Sequence, residues 1–179
     1  EAMREVHVSQ LRWAGNFSST YHWRDGVGPR EQRPCLRNVA WHATEDNEFG
    51  TAEFIKLCRK LNAEPVIGVN MGSGTPEEAM NWVEYCNSEG NTHFARLRRE
   101  HGYAEPFRVR RWCLGNEMYA PWQFGHMDAE EYALQAERFA TAMRLADSGI
   151  HFTAVGLETD PQWNWEVVKR LSVPKTRFQ

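Results

Sequence analysis

The sequence has no uncharged apolar run long enough to cross a bilayer, which argues against a membrane span. It has no surplus of basic charge. Its 21 Lys and Arg stand against 24 Asp and Glu, for a net charge of −3, so a nucleic-acid groove is not expected as the main function. There is no low-complexity segment, no repeat and no linker rich in Pro, Gly or Ser. Cys-x-x-Cys is missing too. The four cysteines, Cys35, Cys58, Cys86 and Cys113, are widely spaced and read as reduced thiols rather than a disulfide framework or zinc site. No His pair at i, i+4 and no His–Cys pair at metal spacing occurs, so no metal site is expected. The chain starts at Glu1 rather than Met and shows no charged-then-apolar leader. It therefore reads as processed or truncated, with a leader further upstream left open.

What is present in excess is Trp, with eight in 179 residues. Trp belongs in cores, and an excess often lines sugar- or base-stacking surfaces. Charged residues at 25% suit a globular chain of one domain, or one and a piece.

Short apolar runs alternate with longer amphipathic stretches. Residues 6–13 read as a strand. Phe54, Leu57, Cys58 and Leu61 lie on one helical face. Residues 64–70 form a second strand with Pro65 near its start. Thr75-Pro76-Glu77-Glu78 opens a helix with a capping box, and Ala79, Trp82, Val83 and Cys86 continue one face. A short helix is expected over 93–99 and a third strand over 109–114. Asp128 starts the clearest helix, with Gly149 as its stop. Residues 150–157 make a fourth strand, and 165–171 the helix after it. The run Glu45-Asp46-Asn47-Glu48 reads as a solvated loop. Such alternation argues for an α/β fold with a parallel sheet. Two closures stay open, a doubly wound sheet or part of a (β/α)8 barrel.

In either case functional groups gather past the C-terminal strand ends. Those positions hold Arg12, Trp13, Gly15 and Asn16; Asn70 and Gly72-Ser73-Gly74; Gly115-Asn116-Glu117; and Glu158, Thr159 and Asp160. The third cluster is the most informative. A carboxyl at a strand end among Tyr119 and Trp122 would be partly desolvated, which favours the protonated form a general acid needs. Asn116 is neutral and can bind a substrate hydroxyl. The competing reading has Glu117 capping the next turn or pairing with Arg111. Gly72-Ser73-Gly74 could cradle phosphate, but it lacks the other residues of nucleotide-binding motifs and better fits a tight turn. His22 and His42, each near a Trp, suit a pocket wall or plain packing.

Several segments together carry a resemblance: Tyr21 to Pro29 with Arg33-Pro34, Asp46 to Phe54, Asn70 to Thr75, Trp82 to Tyr85, and Trp112-Cys113-Leu114-Gly115-Asn116-Glu117. In order and spacing, from about Leu11 to Asp147, they resemble the α-L-arabinofuranosidases of glycoside hydrolase family fifty-one. The resemblance implies a partial (β/α)8 TIM barrel in which residues 1–179 supply roughly strands two to five and their helices. The first strand, strands six to eight and the family's β-sandwich domain would lie outside. It implies a retaining hydrolase that releases terminal α-L-arabinofuranosyl residues from arabinose-containing oligosaccharides and polysaccharides. Glu117 would be the acid/base, Asn116 would bind the sugar 2-hydroxyl, Arg12 and Asn16 would shape the subsite, and Trp41 would border the substrate. The family's nucleophilic Glu follows its seventh strand, so the isolated piece is expected to be inactive, and an open part-barrel to expose apolar surface and strand edges. No cofactor is implied. A homo-oligomer when full length and a cytoplasmic location are expected, with secretion open. Departures from the family pattern are Arg12-Trp13-Ala14-Gly15-Asn16, one residue short and lacking a Pro, and Gly156 to Asp160 after the last strand. The alternatives are another retaining barrel glycosidase with an Asn-Glu pair, or a non-catalytic sugar-binding or inactive truncated module.

Overall fold

The structure is a computed structural model and describes residues 2–5 and 7–172. In chain order it contains α1 (Ala2–Glu5), β1 (Gln10–Trp13), three short 3-10 turns between Asn16 and Gln32, β2 (Leu36–Asn38), β3 (Ala43–Glu45), α2 (Thr51–Leu61), β4 (Glu64–Val69), α3 (Pro76–Asn87), α4 (His93–Glu100), β5 (Arg111–Leu114), α5 (Ala129–Ala146), β6 (His151–Ala154) and α6 (Pro161–Leu171). Strands β1, β4, β5 and β6 form one parallel sheet in that order. Their order in the sheet is their order in the chain. A doubly wound sheet reverses its strand order at a switch point, and this one does not. The fold is therefore a section of a (β/α)8 barrel wall. β2 and β3 pair separately as a small antiparallel hairpin.

Side chains alternate across the sheet. Trp13, Ile67, Trp112 and Phe152 share one register row on the helix side. There Ile67 and Trp112 are fully buried, within a core that includes Phe54, Trp82, Tyr85 and Tyr132. The ring centres of Trp82 and Trp112 are 5.6 Å apart, edge to face. The buried indoles all find acceptors: Trp82 donates to Thr51 Oγ1, Trp112 to the Val109 carbonyl, Trp23 to that of Glu78 and Trp163 to that of Val155. Half of the Trp excess is thus core, with Trp41, Trp122 and Trp165 exposed. The row on the other face is Arg12, Val66, Arg111 and His151, followed by Gly68, Cys113 and Thr153. Arg12, Arg111, His151 and Thr153 are exposed there, so the uncovered face is mainly polar rather than the apolar surface expected of an open part-barrel.

The differences from the sequence reading have local causes. The first strand begins only at Gln10, because His7 takes a left-handed φ of 50° that breaks the extended run, and Val6 lies outside the described residues. The third strand starts at Arg111, because Asn87 at the end of α3 takes both the N–H and the carbonyl of Val109. The fourth ends at Ala154, because Val155 N–H turns to Tyr132 Oη and Leu157 N–H to Asn164 Oδ1. α5 stops at Asp147, whose Oδ1 accepts from Gly149 N–H, so Gly149 is not the cap. α6 starts four residues early, since Asp160 caps it through Gln162 and Trp163 N–H with Pro161 at the first position. Only half of the Thr75 capping box forms: Thr75 Oγ1 accepts from Glu78 N–H, but the Glu78 carboxylate bonds His22 Nδ1 at 2.9 Å. The stretch 45–48 is not simply a solvated loop. Asn47 is buried with a φ of 57°, and its Nδ2 donates to the Pro34 carbonyl.

Candidate active site

The chain leaves β5 through two consecutive turns of left-handed backbone. Gly115 has a φ of 81°, and a Cβ there would come within 2.8 Å of Met118 Cγ. Glu117 has a φ of 45°, a conformation a non-glycine residue holds only when its surroundings over-determine it. Met118 and Ala120 are buried beneath, Ala120 N–H donates to the Glu117 carbonyl at 2.8 Å, and Met127 N–H donates to that of Met118 at 2.8 Å. Tyr132 on α5 ties the neighbouring strand ends together: its hydroxyl donates to the Leu114 carbonyl and accepts from Val155 N–H, both at 2.7 Å. The strained turn thus sits on a rigid base and presents a half-buried carboxylate past the strand end.

Arg12, Asn116 and Asn16 form a hydrogen-bonded chain across the mouth of the sheet. Arg12 Nη2 donates to Asn116 Oδ1 at 2.9 Å, and Asn116 Nδ2 donates to Asn16 Oδ1 at 3.0 Å. A guanidinium only donates, so it fixes which end of the Asn116 amide is oxygen, and that in turn fixes Asn16. Asn116 keeps one lone pair and one N–H for another partner. Glu117 is not paired with Arg111, which bonds Glu64 Oε2 at 2.7 Å. Instead Glu117 Oε2 accepts from the Trp122 indole N–H at 3.4 Å. An open cleft of ≈ 260 Å³ runs along these groups, lined among others by Arg12, Cys113, Asn116, Glu117, Tyr119 and Thr153.

The sequence marks Tyr119 only as an aromatic neighbour of Glu117, and does not mark Gln123. Burial raises the Tyr119 hydroxyl's pKa, and the negative charges of Glu117 and Glu158 raise it further, which places the phenol in the field of both carboxylates. Glu158 itself is exposed. Gln123 is buried, and its Nε2 donates to the Asn16 carbonyl at 3.1 Å and to Ser19 Oγ. Only its position in the loop after Glu117 could have flagged it. Trp41 stands 65% exposed between β2 and β3, its backbone N–H donating to Asn38 Oδ1. At the end of β4, Asn70 Oδ1 accepts from both Gly72 and Ser73 N–H. Those donors are used inside the turn, which leaves no phosphate cradle.

The chain that carries this cleft matches a known family. Residues 2–171 match the family described as "Alpha-L-arabinofuranosidase 1 domain". The chain belongs to that family. The α-L-arabinofuranosidase C of Emericella nidulans is 46% identical over 175 residues, 97% of this chain and 35% of the relative. An intracellular exo-α-(1→5)-L-arabinofuranosidase of Acetivibrio thermocellus is 42% identical over 174 residues, 94% of this chain and 35% of the relative. Among solved structures, the α-L-arabinofuranosidase of Thermotoga maritima in its arabinose complex superposes with a TM-score of 0.91 at 50% identity, covering 94% of this chain and 35% of that one. A family 51 enzyme of Bifidobacterium longum does so with a TM-score of 0.91 at 40% identity, covering 95% and 35%. The chain spans about a third of the length of these arabinofuranosidases.

Proposed function

We propose that the protein carrying this chain is a retaining α-L-arabinofuranosidase and that residues 1–179 form the part of its barrel that holds the acid/base, Glu117. The observation that carries the reading is the Glu117 carboxylate, half-buried on a strained strand-end turn, without a cationic partner among the described residues and next to an amide whose orientation Arg12 dictates. In double displacement, Glu117 donates a proton to the departing glycosidic oxygen while a second carboxylate, ~5–5.5 Å away, attacks the anomeric carbon. Glu117 then takes a proton from water, which releases arabinose with retained configuration. Asn116 offers its remaining amide functions to a ring hydroxyl, with Asn16 and Arg12 holding it in place. The attacking carboxylate is assigned to another barrel strand rather than to Glu158, because no family resemblance supports a nucleophile at the position of Glu158.

The substrates are arabinose-containing oligosaccharides and polysaccharides, in keeping with the names of the relatives. The relative from Acetivibrio is named intracellular, and the same compartment is assigned here. The complete protein is assigned a homo-oligomeric state, which sedimentation would check. The test of function is a panel of aryl glycosides offered to the complete protein, with the first-formed sugar anomer followed by NMR. Release of α-L-arabinofuranose with retention supports the reading. Turnover confined to β-xylosides or β-glucosides would replace it with another retaining barrel glycosidase, and arabino-oligosaccharide binding without turnover would replace it with a sugar-binding module.

A further inference from the structure

We propose that Trp122, carried on a loop that Gln123 anchors, is a positioning residue that orients the Glu117 carboxyl and selects the oxygen that carries its proton. The inference rests on the acid/base reading of Glu117. The Trp122 indole N–H donates to Glu117 Oε2, and an indole nitrogen offers no lone pair in return. In a protonated carboxyl, the carbonyl-type oxygen is the better acceptor. The indole therefore holds Oε2 as that oxygen and leaves the proton on Oε1, the oxygen turned away from the tryptophan.

The backbone that carries the tryptophan is held. Turns closed by Gln123 N–H on the Ala120 carbonyl, at 2.9 Å, and His126 N–H on the Gln123 carbonyl, at 3.1 Å, shape the loop that carries it. The next side chain, Gln123, is buried and tied to the Asn16 carbonyl and Ser19 Oγ. Asn16 is also the end of the chain that begins at Arg12 and passes through Asn116. The links close a ring: Asn116 to Asn16, Asn16 to Gln123, Gln123 to its neighbour Trp122, and Trp122 back to Glu117, which follows Asn116. The proton donor and the sugar-binding amide are thereby held in one frame. The indole meanwhile stays 68% exposed. An acid must approach the glycosidic oxygen, and that oxygen leaves with the departing group. An exposed ring bonded to the acid thus stands on the leaving-group side of the site.

The test uses the complete enzyme and two arabinofuranosides, one with a sugar or alkyl leaving group and one with a dinitrophenyl leaving group that needs no proton. Trp122→Phe keeps an aromatic ring and removes the donor, and Trp122→His keeps a ring N–H. Trp122→Phe is expected to lower kcat on the unactivated substrate roughly tenfold, a part of the 10²–10⁴ that general acid catalysis supplies, and to change the activated substrate far less. Trp122→His should recover part of the loss. Equal losses on both substrates, or a change in KM alone, would make the ring a plain contact surface and overturn the proposal. A second readout does not depend on turnover. The Trp122 indole proton, seen by ¹H–¹⁵N NMR, should move upfield in Glu117→Ala, where the acceptor is gone, and an unmoved resonance would remove the hydrogen bond. Unimpaired hydrolysis of the unactivated substrate by Glu117→Gln would instead overturn the acid/base reading, and this inference with it.

Discussion

The two faces of the parallel sheet are built differently. On the helix side, Trp13, Ile67, Trp112 and Phe152 lie in one row against a dry aromatic core. One residue back along each strand, the opposite face shows Arg12, Val66, Arg111 and His151. The first row stabilises the fold through burial and ring packing, in which every buried indole N–H has an acceptor. The second makes little of either. Its arginines are used in hydrogen bonds, Arg12 to Asn116 at the strand ends and Arg111 to Glu64. Arg12 thus orients a group at the C-terminal rim, while Arg111 joins the first residues of β5 and β4. Changes on the helix side should therefore act on stability, and changes at the rim on chemistry.

The largest stability effect should come from the helix side. Trp112→Ala removes a fully buried ring and its contact with Trp82, and should destabilise by about 3–5 kcal/mol in urea denaturation. In the 179-residue chain by itself, Thr153→Ala, exposed on the other face, should stay within about 0.5 kcal/mol. Comparable effects at the two positions would dissolve the comparison. At the rim, Asn116→Ala should raise the barrier by about 2–4 kcal/mol if the amide acts as a preorganised donor, with the loss appearing in kcat. A change confined to KM would make Asn116 a uniform binder.

A smaller effect concerns the anchor under the β2–β3 hairpin. Arg33 bonds Glu53 through both terminal nitrogens at 3.2 Å, and also the carbonyls of Gly28, Asn47 and Glu48. Burial pushes the Glu53 carboxyl upward, but the hydrogen bonds from Arg33 and from Gly50 N–H outweigh it and hold the pKa below its ordinary 4.5. A depressed folded-state value means that this stabilisation is complete above the ordinary value and is lost as pH falls through the folded one. Glu53→Gln should destabilise by about 1.5–3 kcal/mol at neutral pH and flatten the acid limb of the stability curve. An unchanged acid limb would show that the pair contributes nothing there.

The helix side was largely legible because burial writes itself as periodicity. Phe54, Leu57, Cys58 and Leu61 mark α2, and Ala79, Trp82, Val83 and Cys86 mark α3, whatever their partners. Order along the sheet was not legible, since periodicity does not say which strands are neighbours. The hairpin escaped notice because strands of three residues are too short to show an alternation. The start of α6 is missed because Asp160 is taken as a strand-end residue and not as the cap ahead of Pro161. At the rim, Glu117 and Asn116 could be found from Gly-Asn-Glu at a strand end. Arg12 and Asn16 stand out as strand-end residues too, but their bonds to Asn116, and the part of Gln123, do not, because these partners meet across a hundred residues or more of sequence. Trp41 is drawn in by resemblance alone.

The central claim is that Glu117 serves first as acid and then as base, and the variant Glu117→Ala in the complete enzyme tests it most directly. Its rate should be measured on arabinofuranosides of graded leaving-group ability, with and without azide. Hydrolysis should fall most for poor leaving groups, which need the proton. With activated aryl substrates the glycosyl-enzyme should accumulate, and azide should restore turnover by attacking it without base assistance. Full activity in Glu117→Ala across that series, with no response to azide, would contradict the account.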